Sequence, residues 1–307
     1  MFQGKTIGVI GDVMLDRFLG GNSIRLSPEA PVPVIRVTEE SAVPGGAANV
    51  ANNIAACGGT PDLIGVVGDD ASGKELQALC GKFSGDVSGL VCTPLRPTTE
   101  KTRVMAQGKQ VARVDREATE YLSFADAEKI SNAVRSRVAS WDAVIVSDYA
   151  KGVISEALIA YIIEDARSRN IPAIGDIKPV HIPFCKNITL LTSNMGEITS
   201  AGGTSDIEQA GRRIQKELGC VLLVTRGEEG MSLFDGDTLV HFSACAHRVS
   251  DVAGAGDTVT AIVALALASG MSYAEAACLA NTAAGIVVGK RGVATVSFEE
   301  LMNALDA

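Results

Sequence analysis

The 307-residue sequence is poor in the residue types that mark disulfide-bonded or metal-bound proteins. Its seven cysteines are scattered and odd in number, without a CxxC pair, which argues against a disulfide framework or a structural zinc site and favours a reducing compartment. The histidines also lack metal-ligand spacing; they are His181, His241 and His247. Lys and Arg (27) are fewer than Asp and Glu (36), and the net charge of −9 argues against a nucleic-acid or anionic-membrane binder.

Long hydrophobic runs and targeting signals are missing as well. The most apolar stretch, Val259 to Ala268, is too short to span a bilayer, and the N-terminus leads into a strand-like segment rather than a signal peptide. We therefore expect a cytoplasmic protein with neither membrane nor nucleic-acid partners. Because 47% of the residues are hydrophobic and no linker interrupts the chain, we predict one well-buried domain over residues 1–307.

Predicted strands and helices alternate along most of the chain, which is typical of an α/β fold with a mostly parallel sheet. Polar residues recur directly after the predicted strands: Asp12, Asp148, Lys151, Asp176, Lys178, Asn194, Glu197, Thr225 and Arg226. The carboxyl ends of parallel strands meet at one edge, where open α/β sheets bind their ligands. We expect these residues to line that edge. Asp12 and Asp16 are candidates to form hydrogen bonds with sugar hydroxyls. The alternative is that neither binds a ligand, one being part of a turn and the other exposed to solvent.

Two segments have the pattern of edge or flap strands beside the main sheet. Ser27 to Val37 is proline-rich and then alternates, as an edge strand does, and Thr98 to Val114 reads as a hairpin. We place these flap segments at about residues 17–43 and 96–115. The second segment carries local positive charge, which could also belong to a solvated hairpin face, on Lys101, Arg103 and Arg113.

The stretch from Arg248 to Ser269 carries the most concentrated chemical signal. The small residues Gly254, Ala255 and Gly256 precede Asp257 and an apolar run of helical length. A helix that begins there presents unpaired N–H groups to an anion, and Asp257 adds a candidate general base. This combination suits the transfer of a phosphoryl group to an alcohol. The alternative is that Asp257 caps the helix.

Two further motifs fit the same chemistry. Gly45 and Gly46 precede an Ala-rich helix with Asn49 in its first turn, so a ligand can approach the backbone closely, although the glycines could also serve packing alone. Asn194 and Glu197 are three residues apart and could hold a hydrated Mg²⁺ or form a helix cap. The sequence has no GxxxxGK[ST] P-loop and no protein-kinase signature.

These motifs resemble the two signatures of the ribokinase-like (PfkB) carbohydrate kinases. GGAAN at 45–49 matches the first signature and DVAGAGD at 251–257 the second, within a similarity that spans nearly the whole chain. Other segments resemble the subgroup of the family that phosphorylates D-glycero-D-manno-heptose 7-phosphate: GDVMLDR at 11–17, SPEAPVPV at 27–34, SDYAKG at 147–152, LVTR at 223–226, GMSL at 230–233 and AAGIVVGK at 283–290.

The resemblance implies a central, mostly parallel sheet with helices on both faces and a β-sheet lid through which two copies pair. It also implies transfer of the ATP γ-phosphate to the anomeric hydroxyl of heptose 7-phosphate, a step in the synthesis of nucleotide-activated heptose for lipopolysaccharide. Asp257 would be the base, and the backbone of Ala255 and Gly256 would form the anion hole, with Gly254 beside them in the same catalytic turn.

The resemblance also implies which residues bind each ligand. The sugar would be bound by Asp12, Asp16, Gly45, Gly46, Asn49 and Asp148, and we assign its phosphate to Lys101, Arg103 and Lys151. ATP would be bordered by Lys178, Asn194, Glu197, Thr225, Arg226, Gly227, Gly254, Gly256 and Asn281. Asn194 and Glu197 would hold Mg²⁺ through water, and Asp251 a monovalent cation such as K⁺.

The sequence departs from the family pattern at two places near the predicted site. The usual Asp-Pro-Lys-Gly is replaced by DIKP at 176–179, which changes the backbone beside Asp176 and Lys178, and Ala253 stands where Thr is common. Many heptose kinases are fused to a nucleotidylyltransferase domain. Since this chain ends at Ala307, we expect that step in another protein.

Two other functions remain open on the sequence. The first is a kinase of the same family that acts on another sugar or sugar phosphate, such as fructose phosphate or a ribose-like sugar. The second is a non-catalytic protein on the same fold that senses a sugar or a nucleotide. Asp257 argues against the second function, because a pure binder needs no base.

Overall fold

The computed structural model describes residues 2–246 and 248–305, so His247 lies outside the described residues. Its strands, in chain order, are β1 (Thr6–Gly11), β2 (Val13–Leu26), β3 (Pro33–Gly46), β4 (Thr60–Gly68), β5 (Leu90–Thr93), β6 (Glu100–Ala106), β7 (Lys109–Arg116), β8 (Ala143–Ser147), β9 (Ala173–Asp176), β10 (Leu190–Asn194), β11 (Val221–Thr225), β12 (Met231–Asp235) and β13 (Thr238–Phe242). The α-helices are α1 (Ala47–Ala56), α2 (Ala71–Ser84), α3 (Phe124–Arg137), α4 (Glu156–Arg169), α5 (Met195–Gly202), α6 (Ile207–Leu218), α7 (Ala255–Ala268), α8 (Tyr273–Val288) and α9 (Phe298–Leu305).

The larger of the two sheets has the strand order β13-β12-β11-β10-β9-β8-β1-β4-β5. Its strands from β11 to β5 pair in parallel, and β12 and β13 form an antiparallel edge. The crossovers between parallel strands are mostly helical, as parallel pairing requires. The prediction of a mostly parallel α/β sheet is confirmed.

Helices cover both faces of this sheet, so the strands are buried on both sides. Side chains alternate along a strand, and therefore Ile7 and Val9 of β1 join one hydrophobic core while Ile10 joins the other. The first core is completed by α1, α2, α7, α8 and α9, and the second by α3 to α6. None of the helices in residues 2–246 and 248–305 combines the length and apolar character needed to cross a membrane.

The register of the central strands brings several chain segments to one edge of the sheet. Gly11 at the end of β1 lies opposite Ser147 of β8, and Ser147 lies opposite Asp176 of β9. Backbone hydrogen bonds continue this alignment beyond the strands, from Asp12 N to Ser147 O (3.1 Å) and from Asp148 N to Asp176 O (2.8 Å). The polar residues that follow these strands therefore meet at the carboxyl edge, as predicted.

The smaller sheet, which we call the lid, has the strand order β3-β2-β6-β7. β2 leaves the main sheet directly after Asp12, so the lid begins earlier than the predicted boundary at residue 17, and β3 begins at Pro33 instead of Ser27. The register of β2 against β3 shifts between Gly20 and Gly21. Such a bulge interrupts the alternation of apolar and polar residues, which explains why β2 was not recognised as a strand.

Candidate active site

Asp257 lies in the first turn of α7, at the carboxyl edge of the large sheet, and only 5% of it is exposed. The helix begins after Gly254, whose left-handed backbone (φ 80°) suits glycine, and no side chain caps it. The Asp257 carboxylate instead accepts hydrogen bonds from Asn49 Nδ2 at Oδ2 (2.7 Å) and from the Tyr149 hydroxyl at Oδ1 (2.6 Å). The alternative interpretation of Asp257 as a helix cap is therefore wrong.

Burial raises the pKa of Asp257 to about 6, although the hydrogen bonds from Tyr149 and Asn49 oppose this rise. At pH 7 the carboxylate is therefore mostly ionised, while its affinity for a proton is higher than that of an exposed aspartate. A general base works best when its pKa lies close to the operating pH. Asp257 thus has both the charge state and the basicity that proton abstraction from a hydroxyl requires.

The backbone before Asp257 offers donors to an anion. Among the described residues, the N–H groups of Gly256 and Asp257 have no hydrogen-bond partner, whereas Ala255 N donates to Val252 O (3.3 Å). The open donor thus falls on Gly256 and Asp257, one residue further along than the predicted pair Ala255 and Gly256. No atom lies within 4 Å of a Cβ placed on Gly256, so there is free space beside this helix N-terminus.

Asn49 lies in the first turn of α1, and buried polar contacts connect this helix to α7. Asn53 donates to the carbonyl oxygen of Asn49 (3.0 Å) and accepts from the Thr258 hydroxyl (3.0 Å). Asn49, Asn53 and Thr258 thus each have a hydrogen-bond partner, which offsets the cost of removing their polar groups from water. The contact of Asn49 with a sugar remains a prediction, whereas in this structure its amide donates to the Asp257 carboxylate.

Gly45 and Gly46 lie against protein groups of the same site. A Cβ on Gly45 would overlap the Asp16 carboxylate, and a Cβ on Gly46 would overlap the carbonyl oxygen of Asp12. Gly46 also has φ 56°, a backbone region that glycine adopts without strain. The glycines therefore allow the end of β3 to pass close to both aspartates.

Asp12 is almost fully buried and binds backbone groups of the loop that follows β8. Its carboxylate accepts hydrogen bonds from the N–H groups of Tyr149 (2.8 Å), Lys151 (3.0 Å) and Val153 (3.1 Å). Burial raises the pKa of Asp12, and these three bonds oppose the rise. The structure thus gives Asp12 a role in fixing this loop, besides the sugar contact predicted for it.

Asp148 is completely buried and connects two loops at the sheet edge. Its carboxylate accepts from the backbone N–H of Lys178 (3.1 Å) and contacts His181 Nδ1 (2.7 Å), and His181 Nε2 in turn contacts the Tyr121 hydroxyl (3.0 Å). A carboxylate without exposed surface cannot meet a ligand directly. The structure therefore assigns Asp148 to loop positioning rather than to the predicted contact with substrate.

The cations predicted for the substrate phosphate differ in their partners. Arg103 forms an ion pair with Asp16, and Lys151 Nζ lies 2.7 Å from Glu117 Oε1. Lys101 is partly buried, makes no ion pair with a described residue, and lies 5.4 Å from the centre of the Tyr149 ring. Desolvation lowers the pKa of Lys101. Of the three cations, Lys101 is therefore the one whose charge is not already offset by a bonded carboxylate.

Asn194 and Glu197 form the capping box of α5. Asn194 Oδ1 accepts from Glu197 N (3.0 Å), and Glu197 Oε2 accepts from Asn194 N (3.1 Å). Glu197 Oε1 also lies 2.5 Å from Lys178 Nζ. The capping arrangement is thus present, and the described residues contain no cluster of three or more His, Cys, Asp or Glu side chains that could hold a metal.

Four of the residues predicted to border a nucleotide lie at or after the end of β11 or in the middle of α8: Thr225, Arg226, Gly227 and Asn281. Thr225 donates to Ser193 O (3.3 Å), and Arg226 binds the Ser232 hydroxyl (3.3 Å) and pairs with Glu229. Asn281 Nδ2 donates to Ser243 O (2.7 Å). Gly227, which was also predicted beside the nucleotide, has a left-handed backbone (φ 60°). Asp251, predicted to bind a monovalent cation, accepts a hydrogen bond from Ala253 N (3.0 Å).

Tyr149 is the residue that the sequence interpretation missed. It belongs to the recognised segment 147–152, in which only Asp148 and Lys151 were singled out as site residues. Its hydroxyl reaches Asp257, 108 positions later in the chain. A tyrosine among polar residues gives no sequence signal for such a contact, and only the fold reveals it.

The class of the protein follows from this fold and from a family comparison. Residues 5–300 match the family model described as pfkB family carbohydrate kinase. The chain therefore belongs to the pfkB family, whose members transfer a phosphoryl group from ATP to a sugar. The resemblance drawn from the sequence motifs is confirmed.

Two curated relatives with the same name are similar to this chain over nearly its whole length. The chain is 44% identical over 306 residues to "Bifunctional protein HldE" of Geobacter metallireducens (97% of this chain, 62% of the relative) and 42% identical over 313 residues to the protein of the same name of Gluconacetobacter diazotrophicus (100% and 65%). It thus spans less than two thirds of the length of these curated relatives.

Solved structures show the same fold at low sequence identity. Ribokinase of Arabidopsis thaliana, complexed with ribose and ATP, superimposes with a TM-score of 0.75 at 22% identity, covering 99% of both chains. Phosphofructokinase-2 of Escherichia coli, in complex with potassium, gives a TM-score of 0.79 at 19% identity, covering 100% of this chain and 99% of the other. The fold is ribokinase-like, as predicted.

Proposed function

We propose that this protein is an ATP-dependent kinase that phosphorylates the anomeric hydroxyl of D-glycero-D-manno-heptose 7-phosphate. The observation that carries the proposal is the buried Asp257 carboxylate beside the open N–H groups of Gly256 and Asp257. A base that takes the acceptor proton and donors that bind developing negative charge are the two groups that phosphoryl transfer to an alcohol requires. A protein that only senses a sugar needs neither.

The acceptor hydroxyl would lose its proton to Asp257 while its oxygen attacks the γ-phosphorus of ATP. The bond from that phosphorus to the β–γ bridging oxygen would break, and ADP would leave. The N-terminus of α7 would stabilise the transferred group through its open N–H donors and the positive end of the helix dipole. The residues on the nucleotide side are Lys178, Thr225, Arg226, Gly227 and Asn281. Gly254 and Gly256 would let the phosphates approach the backbone.

Mg²⁺ fits the few oxygens at the N-terminus of α5. Glu197 carries a carboxylate that is only partly neutralised by one Lys178 contact, and Asn194 lies beside it. Mg²⁺ keeps several waters and takes few protein ligands, so these two side chains would hold it through water together with ATP oxygens. Bound there, the ion would offset phosphate charge. Asp251 would bind a monovalent cation such as K⁺.

The phosphorylated end of the acceptor would lie against the lid. Lys101 on β6 is partly buried beside the site and forms no ion pair with any described residue, whereas Arg103 and Lys151 each pair with a carboxylate. A partly buried ammonium group that no carboxylate contacts directly favours a ligand that brings negative charge. This supports a sugar phosphate over a free sugar, and the HldE relatives support a heptose.

The lid also exposes apolar residues on its strands. Val37 of β3 and Val111 and Val114 of β7 are 46%, 45% and 60% exposed. We propose that two copies pair through their lids, which a measurement of the mass in solution tests. The protein would act in the cytoplasm, where ATP is available, and the free state of all seven cysteines accords with that location.

The experiment that tests the proposed function is an ADP-release assay with purified protein, ATP and Mg²⁺ over a panel of acceptors. The panel contains heptose 7-phosphate, fructose 6-phosphate, ribose and unphosphorylated heptose. We expect the highest kcat/KM with heptose 7-phosphate. Preference for fructose phosphate or ribose would show that the protein is a kinase with a different substrate. Binding without turnover of any acceptor would contradict the enzymatic function.

A further inference from the structure

The loop after β8 holds Tyr149 in a fixed place. Its backbone N–H donates to the Asp12 carboxylate (2.8 Å), and the preceding residue, Asp148, is anchored to β9 through Asp176 O (2.8 Å). The following residue, Ala150, has the left-handed backbone conformation (φ 53°) and donates its N–H to Asp148 Oδ1 (2.8 Å). A non-glycine residue adopts this conformation only where its surroundings impose it. The loop is therefore built to a specific shape.

That shape directs the Tyr149 hydroxyl to the base. It donates to Asp257 Oδ1 at 2.6 Å, while Asn49 Nδ2 donates to Oδ2 at 2.7 Å. The ring lies between two ammonium groups, since Lys101 Nζ is 5.4 Å and Lys178 Nζ 5.1 Å from its centre. These cation–π distances add to the fixation of the ring. One donor on each oxygen prevents the carboxylate from rotating.

We propose that Tyr149 is a positioning residue for phosphoryl transfer, whose hydroxyl holds the Asp257 carboxylate in the orientation that accepts the proton of the sugar hydroxyl. This inference rests on the kinase function proposed above. Each carboxylate oxygen retains lone pairs beyond the bond it already accepts, so the acceptor hydroxyl can still reach it. A base that is held in a productive orientation reacts faster than one that must find it, because the ordering is completed before the reaction.

The same hydrogen bond also sets the basicity of Asp257. The groups that act on its pKa come from several elements. Burial raises it, Tyr149 and Asn49 lower it through hydrogen bonds, Lys178 lowers it by its charge, and Asp16 repels the ionised form. Asp176 also lies close, and the charge of Asp257 raises the pKa of Asp176. Removal of the Tyr149 hydroxyl takes away one stabilising donor, whereas burial and Asp16 still raise the pKa of Asp257. The pKa of Asp257 should then rise.

The test compares Tyr149→Phe with the wild-type enzyme on whichever acceptor the wild type turns over best. We expect kcat to fall by about 10- to 100-fold, the effect of losing one hydrogen bond to a charged group. The acid limb of the kcat/KM profile should move to higher pH, because the base must be ionised to act, and both KM values should change by less than about threefold. The matched control is Tyr273→Phe, a partly buried tyrosine of α8 that contacts none of these groups.

A double variant separates positioning from a merely structural role. Tyr149→Phe combined with Asp257→Asn should be no slower than Asp257→Asn alone, since the tyrosine acts through the carboxylate. Incorporation of 3-fluorotyrosine at position 149 keeps the ring and strengthens the donor. It should move the acid limb to lower pH, and this readout does not depend on the folding of the phenylalanine variant.

The outcomes that overturn the inference are distinct from failure of the proposed function. A wild-type enzyme that is active, with Tyr149→Phe retaining its kcat and its acid limb, removes the positioning role and leaves the kinase intact. The same holds if fluorotyrosine leaves the pH profile unchanged. A wild-type protein that phosphorylates no acceptor overturns the proposed function, and the role of Tyr149 is lost with it.

Discussion

The interactions that stabilise the large sheet differ from those that stabilise the lid. β8 of the large sheet is buried along its whole length and lies between two hydrophobic cores. β7 of the lid is exposed along its whole length, and β2 connects to its surroundings through charged contacts of Arg17 with Glu40 (2.9 Å), Glu75 (2.6 Å) and Glu100 (3.3 Å). Packed apolar interiors resist displacement. The ion pairs of Arg17 with Glu40 and Glu75 involve partly exposed carboxylates, and ion pairs that water can reach contribute little stability.

This difference separates the chemistry of the site from its selectivity. The base, its two donors and the open helix N-terminus all belong to elements that pack against the large sheet. Lys101 and Arg103 belong to the lid. We therefore expect substitutions on the large sheet to act on kcat, and substitutions on the lid to act on the choice of acceptor.

The largest effect should come from Asp257→Asn. The amide cannot accept the proton, so kcat should fall by about 10³-fold or more while the affinities for ATP and sugar change little, because the shape of the site is kept. Steady-state kinetics and calorimetric binding measure the two quantities separately. The control is Asp237→Asn, at an exposed position beyond β12. Near-normal turnover by Asp257→Asn would mean that another group takes the proton.

Lys101→Met should have a smaller and more selective effect. Loss of one ion pair with a phosphate should lower kcat/KM for the phosphorylated acceptor by about 10- to 100-fold, and leave turnover of the unphosphorylated sugar within about threefold. Lys109→Met, at the exposed tip of the same hairpin, should change neither. Equal losses on both acceptors would show that Lys101 does not recognise the phosphate.

The last prediction concerns the stability of the large sheet at its carboxyl edge. Burial and the nearby Asp257 raise the pKa of Asp176 from 3.8 to about 7. The folded protein thus binds a proton that the unfolded chain has released, and stability falls as the pH rises from about 4 to about 7. Asp176→Asn should be more stable than the wild type at pH 8 by up to about 4 kcal/mol, the free energy that the rise in pKa from 3.8 to about 7 represents, and the difference should shrink towards pH 4.

Urea unfolding at pH 5 and pH 8 measures this difference. Asp237→Asn serves again as the control, since an exposed carboxyl should give the same difference at both pH values. A variant of Asp176 that is less stable than the wild type at pH 8 would show that the carboxylate is stabilised in the folded state.

Much of the fold could be predicted from the sequence, because the patterns that indicate its strands and turns are local. The strand-like segment at the N-terminus, which forms β1, and the small-residue turn before α7 each occupy a few consecutive residues. The lid was less accessible. β2 contains a bulge at Gly20 and Gly21, and its pairing with the distant β6 depends on register rather than on composition.

The motifs of the site could be predicted from the sequence, but the contacts between its residues could not. Asp257 and Asn49 were singled out from separate signatures, yet the hydrogen bond between them spans 208 positions. The interpretation of Asp148 as a ligand group followed from its place after a strand. Its side chain turns instead towards His181, because the chain after β9 passes over it. Strand ends predict which residues are near the cleft, but not the direction of each side chain.

The most direct test of the central claim is the position of the new phosphate in the product. The wild-type protein is incubated with ATP, Mg²⁺ and heptose 7-phosphate, and the product is examined by ³¹P and ¹H NMR. The account predicts a second phosphate whose phosphorus couples to the anomeric proton. A product phosphorylated at any other carbon, or unchanged heptose 7-phosphate beside a folded and ATP-binding protein, would contradict it.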